Sequence, residues 1–260
     1  MSSVEYEVEG STATLTLDNP DNRNAINQAL IDGIADGLER ASADEAVRSI
    51  VLTHTGTVFC AGADLKEQSA TVQGKDRPAN AAVANSVIRG LLTCPKPVIA
   101  AVHGHVRAGG MGFVAGCDFV VAGPKASFGL TEVRIGVVAA MIAPAVLARI
   151  GDRTAADWLL RARTISPAEA AAAGFVTQAV TEADGSVDAA VEEILSDLRK
   201  AAPAALAASK EIANWRVLES MDDHEAEMIE LSAKFFAGAE AQAGMKAFLN
   251  KRTPPWVVER

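Results

Sequence analysis

The sequence predicts an α/β protein in which short strands alternate with helices, followed by a tail that is helical throughout. Three observations carry this. Apolar, β-branched runs at 49–52 and 98–102 each lead into a turn of small residues and then into apolar residues at helical spacing. The opening stretch alternates apolar and polar residues across Gly10. Beyond Gly185 only helical spacing remains, with Val191, Ile194 and Leu198 on one face and Met228, Leu231 and Phe235 on another.

Taken in order, residues 4–8 and 13–17 predict an antiparallel hairpin, closed off by Asn19 and Pro20. Asn27 is placed to cap a helix whose Leu30, Ile34 and Leu38 recur every four residues. The strand at 49–52 ends near His54 and Gly56, and FCAGADLKE (59–67) then opens another helix. Ala61, Gly62 and Ala63 leave room for a second backbone or a ligand, and Asp64 can cap the helix that follows. The polar stretch TVQGKDRPAN (71–80) is expected to be a mobile loop, with a helix from about 81 to 92 after it. A strand at 98–102, a turn holding Gly104, Gly109, Gly110 and Gly112, and a strand at 118–122 complete the alternation. Helices are expected at 142–150, 154–160 and 167–172, with one short strand at 175–180.

Composition narrows the function. The 260 residues are 49% hydrophobic, enough to fill a substantial core, and carry a net charge of −9. No Lys/Arg cluster stands out, so a nucleic acid is a poor candidate partner. No run of about 18 apolar residues suggests a membrane span. The start, MSSVEYEVEGS, lacks the basic flank and apolar centre of a signal peptide, and a cytoplasmic location is expected. Cys60, Cys94 and Cys117 lie in apolar surroundings without CxxC spacing, so they read as packing residues, with neither a disulfide framework nor a metal site. Neither a GxGxxG with a downstream acid nor a GxxxxGK[ST] phosphate loop occurs, and no histidine accompanies a GxSxG.

The glycine turn at 104–112 is the first candidate for chemistry. A strand-to-helix turn leaves the first helical N–H groups without partners, so they can be aimed at an oxygen that becomes negative during a reaction. Such turns also exist simply to permit tight packing.

With FCAGADLKE and AVHGHVRAGGMGF both in view, the chain resembles the crotonase (enoyl-CoA hydratase/isomerase) superfamily. The early DNPDNRNAIN, the stretch CDFVVAGPKASFGLTEVRIG, the GFV at Gly174 and the closing GMKAFLNKRTPPW extend the resemblance over nearly the whole chain. It implies a crotonase-like ββα spiral core over 1–190 and a C-terminal helical trimerisation region over 191–260, assembling as a homotrimer or a dimer of trimers. The substrate it implies is an acyl-CoA thioester, with no cofactor beyond the CoA of the substrate itself. By position, the N–H groups of Ala63 and Gly109 match the pair that holds the thioester oxygen. Arg23, Asn24 and Ala25 match a stretch along the pantetheine and adenine, Lys66 a residue beside the phosphates, and Phe248 and Lys251 residues that close over the adenine. Ala61, Asp64, Leu65, Gly110, Gly112 and Thr131 are expected to line the same substrate site.

The carboxylates bear on the reaction. Glu132, in GLTEVRIG, matches the second of the two glutamates used by well-known family hydratases, while Gly112 stands where the first would be. One acid/base can move a proton between two carbons, as family isomerases do. The stretches GGMGF and FGLTEVRIGVVAAMIAP are more similar to a branch that includes hydratases of branched or carboxylated enoyl-CoA, so hydration is the leading expectation. Gly112 would then make room for substituents near C3. A crotonase-like protein that binds acyl-CoA without turnover is a further alternative. The apolar Ala139-Ala140-Met141-Ile142 replaces a stretch usually rich in glycine. Arg107 reads as a structural ion-pair partner rather than a ligand for a substrate carboxylate.

Overall fold

The computed structural model describes residues 3–65 and 77–258, without the side chains of 77–84. Lys66 and the 71–76 part of the expected loop lie outside the described residues. Positions 77–80 are already helical, so that helix begins at Arg77 rather than near 81.

Strands β1 (Val4–Glu9) and β2 (Thr12–Leu17) form the expected antiparallel hairpin, with Val4 opposite Leu17. Helix α1 (Gln28–Ala43) follows, and the side chain of Asn27 accepts the Leu30 N–H at 2.9 Å. From there the chain repeats one unit. β3 (Ser49–His54) is followed by the short β4 (Val58–Cys60), the turn at 61–64 and, later, α2 (Arg77–Thr93). β5 (Val98–Val102) is followed by β6 (His105–Arg107) and α3 (Gly109–Gly116). β7 (Phe119–Ala122) is followed by β8 (Ser127–Gly129) and a 3-10 turn, Glu132–Ile135.

The first strand of each unit joins a six-stranded sheet in the order β1-β2-β3-β5-β7-β9, with β9 only Gln178–Ala179. The second strand joins a separate parallel sheet in the order β4-β6-β8. The core is therefore an α/β spiral of two sheets. The large sheet is covered on both faces, which explains why its inner strands are almost wholly apolar. Ile50, Leu52, Val98, Ala100 and Val102 belong to the main core, whereas Val51, Ile99, Ala101 and Val121 face helix α7 (Val187–Leu198). α7 thus packs on the sheet and runs across the expected boundary between 190 and 191.

Between the sheets and the tail, α4 (Ala143–Leu147), α5 (Asp152–Arg161) and α6 (Pro167–Ala172) are short. The tail is the 34-residue α8 (Pro203–Phe236) and α9 (Ala239–Leu249). A buried polar network fastens α8 to the core. Lys210 Nζ lies 2.7 Å from Asp118 Oδ2 and donates to the carbonyls of Leu91 and Lys96. Asn214 donates to Asp118 Oδ1 at 2.8 Å and accepts from Arg149 at 2.8 Å. Every member is paired, so the cost of burying it is offset.

Candidate active site

The three units bring three sequence-distant positions to one place. Ala63, Gly109 and Glu132 lie two or three residues beyond the ends of β4, β6 and β8, which are neighbours in one parallel sheet. Parallel neighbours run about 4.8 Å apart, so equivalent positions past their ends converge, and a ligand site at the carboxyl edge of such a sheet follows. All three residues line a single cavity of about 590 Å3.

Backbone pairing decides where the two amides point. Ile26 N–H donates to the Gly62 carbonyl at 2.8 Å, and Asp64 N–H donates to the Ile26 carbonyl at 3.0 Å. The Gly62–Ala63 peptide is trans, so its carbonyl and its N–H point in opposite directions, and the Ala63 N–H faces away from Ile26. In the second turn the Ala108 carbonyl accepts from Met111 at 2.8 Å, which turns the Gly109 N–H out of the start of α3. Among the described residues, neither N–H has a hydrogen-bond acceptor. The turns touch: a Cβ on Gly62 would lie 3.2 Å from Gly109 N, and one on Gly109 would lie 2.7 Å from Ile26 Cδ1 and 3.9 Å from Ala63 N. Gly62 at φ +86° and Ala108 at φ 48° hold backbone conformations that L side chains rarely adopt, and Ala108 is the costlier because it carries a Cβ.

Glu132 is 9% exposed, and its Oε2 is buried with no hydrogen-bond partner. Burial raises its carboxyl from 4.5 to about 7; hydrogen bonds from its own amide and that of Thr131 oppose the shift and are outweighed. The turn carrying it is clamped by the tail. A Cβ on Gly136 would lie 2.6 Å from the Glu240 carbonyl carbon, and one on Gly244 would lie 2.4 Å from the Ile135 carbonyl oxygen. Only glycine lets α9 sit this close to the acid-bearing turn.

The other expected site residues divide. Arg23, Ala25, Ala61, Asp64, Leu65, Thr131 and Phe248 line the cavity. Asp64 accepts from Asn22 at 2.8 Å, and the expected helix after it falls, beyond Leu65, outside the described residues. Asn24 is fully buried and builds the turn instead, accepting the Asn19 N–H at 2.7 Å and donating to the Val58 carbonyl at 2.8 Å. Gly110 is a packing position, since a Cβ there would meet Cys60 Cβ at 2.8 Å.

Gly112 does not open space toward a substrate: Ile142 Cγ2 and Ile88 Cδ1 would lie 2.6 and 2.7 Å from a Cβ at that position. Lys251 lies outside the lining, while Arg252 is in it. Arg107 reaches the cavity but forms no ion pair among the described residues; it donates to the Val106 and Ser127 carbonyls and to Ser127 Oγ. Ile88 and Asn85 of α2, Ile229 and Ser232 of α8, and Ile142 complete one wall. Of these only Ile142 is foreshadowed, by the apolar stretch at 139–142; the others come from helices whose sequence signal is ordinary amphipathic spacing. Among the described residues no three His, Cys, Asp or Glu side chains gather as a metal site.

Known proteins resemble this chain over nearly its whole length. The enoyl-CoA hydratase/isomerase family matches residues 7–259. The chain belongs to that family. A putative enoyl-CoA hydratase from Mycobacterium avium paratuberculosis K-10 superposes with a TM-score of 0.89 at 42% identity, covering 98% of this chain and 99% of that one. An enoyl-CoA hydratase from Mycobacterium avium does so with a TM-score of 0.89 at 40% identity, over 99% and 100% of the two chains. The 2,3-dehydroadipyl-CoA hydratase of Escherichia coli K12 is 32% identical over 245 residues, 92% of each chain. The fold is accordingly the crotonase spiral with a C-terminal helical region, and the activity at family level is of the enoyl-CoA hydratase kind.

Proposed function

We propose that the protein adds water across the double bond of a 2-enoyl-CoA thioester, with Glu132 as its single acid/base. The observation that carries this is the meeting of two unpaired amides and one buried carboxyl group, whose Oε2 has no partner, in the same cavity. The thioester oxygen sits between the N–H groups of Ala63 and Gly109. Ionised Glu132 takes a proton from water as the water oxygen bonds to C3, and the electron pair of the double bond moves through C2 onto the thioester oxygen. The enolate collapses as Glu132 returns the proton to C2, so atoms balance and the carboxylate is regenerated. Each fixed amide is worth roughly 3 kcal/mol against the developing charge. A carboxyl near pH 7 is suited to both halves of the cycle.

The cations Arg23 and Arg252 suit the phosphate-bearing end of the substrate, and the apolar wall of Ile88, Phe113, Met141 and Ile142 suits the acyl chain. Self-association through the tail belongs to the same reading, with Ile212 and Trp215 of α8 exposed.

Double-bond migration is the second reading, favoured by Glu132 being the one buried carboxylate of the lining, since moving one proton between C2 and C4 needs no second acid. The deciding experiment offers matched 2-enoyl and 3-enoyl thioesters to the wild type and Glu132→Gln. Hydration expects 3-hydroxyacyl-CoA from the 2-enoyl substrate and a loss of about 10²–10⁴-fold in the variant. Conversion of the 3-enoyl substrate without water uptake supports the isomerase. Equal rates for the two proteins remove Glu132 from the chemistry, and binding without turnover by the wild type leaves an acyl-CoA carrier.

A further inference from the structure

Building on the acyl-CoA reading above, we infer that Ile142 and Ile88, seated on the bare backbone of Gly112, form the floor of the acyl pocket and restrict the substrate to short acyl chains. A Cβ on Gly112 would lie 2.6 Å from Ile142 Cγ2, 2.7 Å from Ile88 Cδ1 and 3.1 Å from Ile142 Cβ. The two side chains therefore rest nearer to α3 than any other residue at position 112 would allow. Glycine inside a helix is less stable than alanine, and this close approach is what it permits here. Both isoleucines are buried and line the cavity, whereas Gly112 beneath them does not. Ile88 lies well inside α2, where the helix encloses its own backbone, so its side chain is what it presents to the cavity. The Ile142 N–H donates to the Ala139 carbonyl and its carbonyl accepts from Val146, which fixes the backbone from which that side chain leans on α3.

The seat lies close to the reacting atoms. Gly112 follows Gly109 by three residues of α3, so about one helical turn, ~5 Å, separates the two positions. In the proposed reaction the amides fix C1 and Glu132 serves C2 and C3. Carbon atoms from C4 onward then fall to the stretch that runs from the Glu132 turn to the start of α4, of which Val137, Ala139, Met141 and Ile142 line the cavity together with Phe113 of α3. Behind the two isoleucines the space closes. One turn further along α3, a Cβ on Gly116 would lie 3.2 Å from both the Ile88 carbonyl oxygen and Leu91 Cβ, so α2 and α3 are already in contact there. A short chain ends against the two methyl groups. A longer chain has to push aside buried side chains of the main core, which close packing resists.

The test compares but-2-enoyl-CoA with dec-2-enoyl-CoA. Values of kcat/KM are measured for the wild type, Ile142→Ala, Gly112→Ala and the double variant, with competition binding of the matching saturated acyl-CoA pair, which needs no turnover. The wild type is expected to favour the shorter chain at least about 10-fold, and Ile142→Ala to move the ratio toward the longer chain by a similar factor. Gly112→Ala pushes the isoleucine methyls into the cavity and should move the ratio the other way, while the double variant returns toward the wild type. A role in core packing alone would lower stability but leave the ratio unmoved. Should Ile142→Ala or Gly112→Ala fail to fold, Ile142→Val, which removes a single carbon, reports a smaller shift in the direction of Ile142→Ala. Equal treatment of the two chains by the wild type, a preference for the longer one, or an unchanged ratio in the Ile142 variants overturns the inference and leaves the hydratase reading standing. If neither thioester is turned over, the hydratase reading falls while the binding ratio still decides the floor.

Discussion

Two buried polar regions of this molecule are built on opposite rules. Around Asp118, each charged or amide group has its partners: Lys210 has a carboxylate and two carbonyls, Asn214 has Asp118 and Arg149, and Asp118 Oδ2 also accepts the Val98 N–H at 2.7 Å. Around the cavity, Glu132 Oε2, Asn85 Oδ1 and the N–H groups of Ala63 and Gly109 have none among the described residues. The first arrangement fastens a long helix. The second leaves hydrogen-bonding capacity unsatisfied. Folding tolerates the second because the apolar core more than offsets its cost.

The contrast can be broken from either side. The largest expected loss comes from the paired region: Asp118→Ala strands the buried Lys210 cation and is expected to cost ~3–5 kcal/mol, read from the denaturant midpoint. Next, Ala63→Pro removes one amide donor and should lower kcat/KM by about 10²–10³-fold. The bridge to Ile26 should persist, because the Ala63 N–H takes no part in it.

Glu132→Gln should act in the reverse sense on stability. The Glu132 carboxyl is raised from 4.5 to about 7 by burial, so between those values the unfolded chain holds fewer protons than the folded one. Stability therefore falls as pH rises through that window. Glutamine cannot ionise, so the variant should match the wild type near pH 4 and exceed it above pH 7 by up to ~3 kcal/mol. Thermal unfolding at pH 4, 6 and 8 checks this; a wild-type advantage at pH 8 would contradict it. The smallest effect is expected for Gly244→Ala. Its new methyl meets the Ile135 carbonyl, costs ~1–3 kcal/mol and displaces the turn carrying Glu132. The acid limb of its kcat/KM profile should then move below 7, as Glu132 gains water.

The six-stranded sheet and the helices were largely readable because their cues are local. Alternation across Gly10, the Asn27 cap and the repeat of Leu30, Ile34 and Leu38 each act within a few residues. β4, β6 and β8 were not readable, since three residues cannot display a period of two, and they pair with one another and, at Phe128, with the distant Ile165. The same gap hid Asn85 and the clamp at Gly244. Both matter through contacts with residues more than 100 positions away, Glu225 and Ile135 respectively.

The sequence by itself determined the alternating core and the helical tail, because local periodicity and turn chemistry are written in neighbouring residues, while its longer motifs carried the resemblance to the family and the match of Glu132 to an acid/base position. The tertiary structure decided that the Ala63 and Gly109 amides are unpaired and adjacent. It also decided that Glu132 is buried enough to hold its proton near neutral pH, and that Ile88 and Ile142 fill the space beside Gly112. The physical reason is that hydrogen-bond satisfaction and desolvation depend on what packs around a group, and here those neighbours come from three successive units of the spiral and from the far end of the chain.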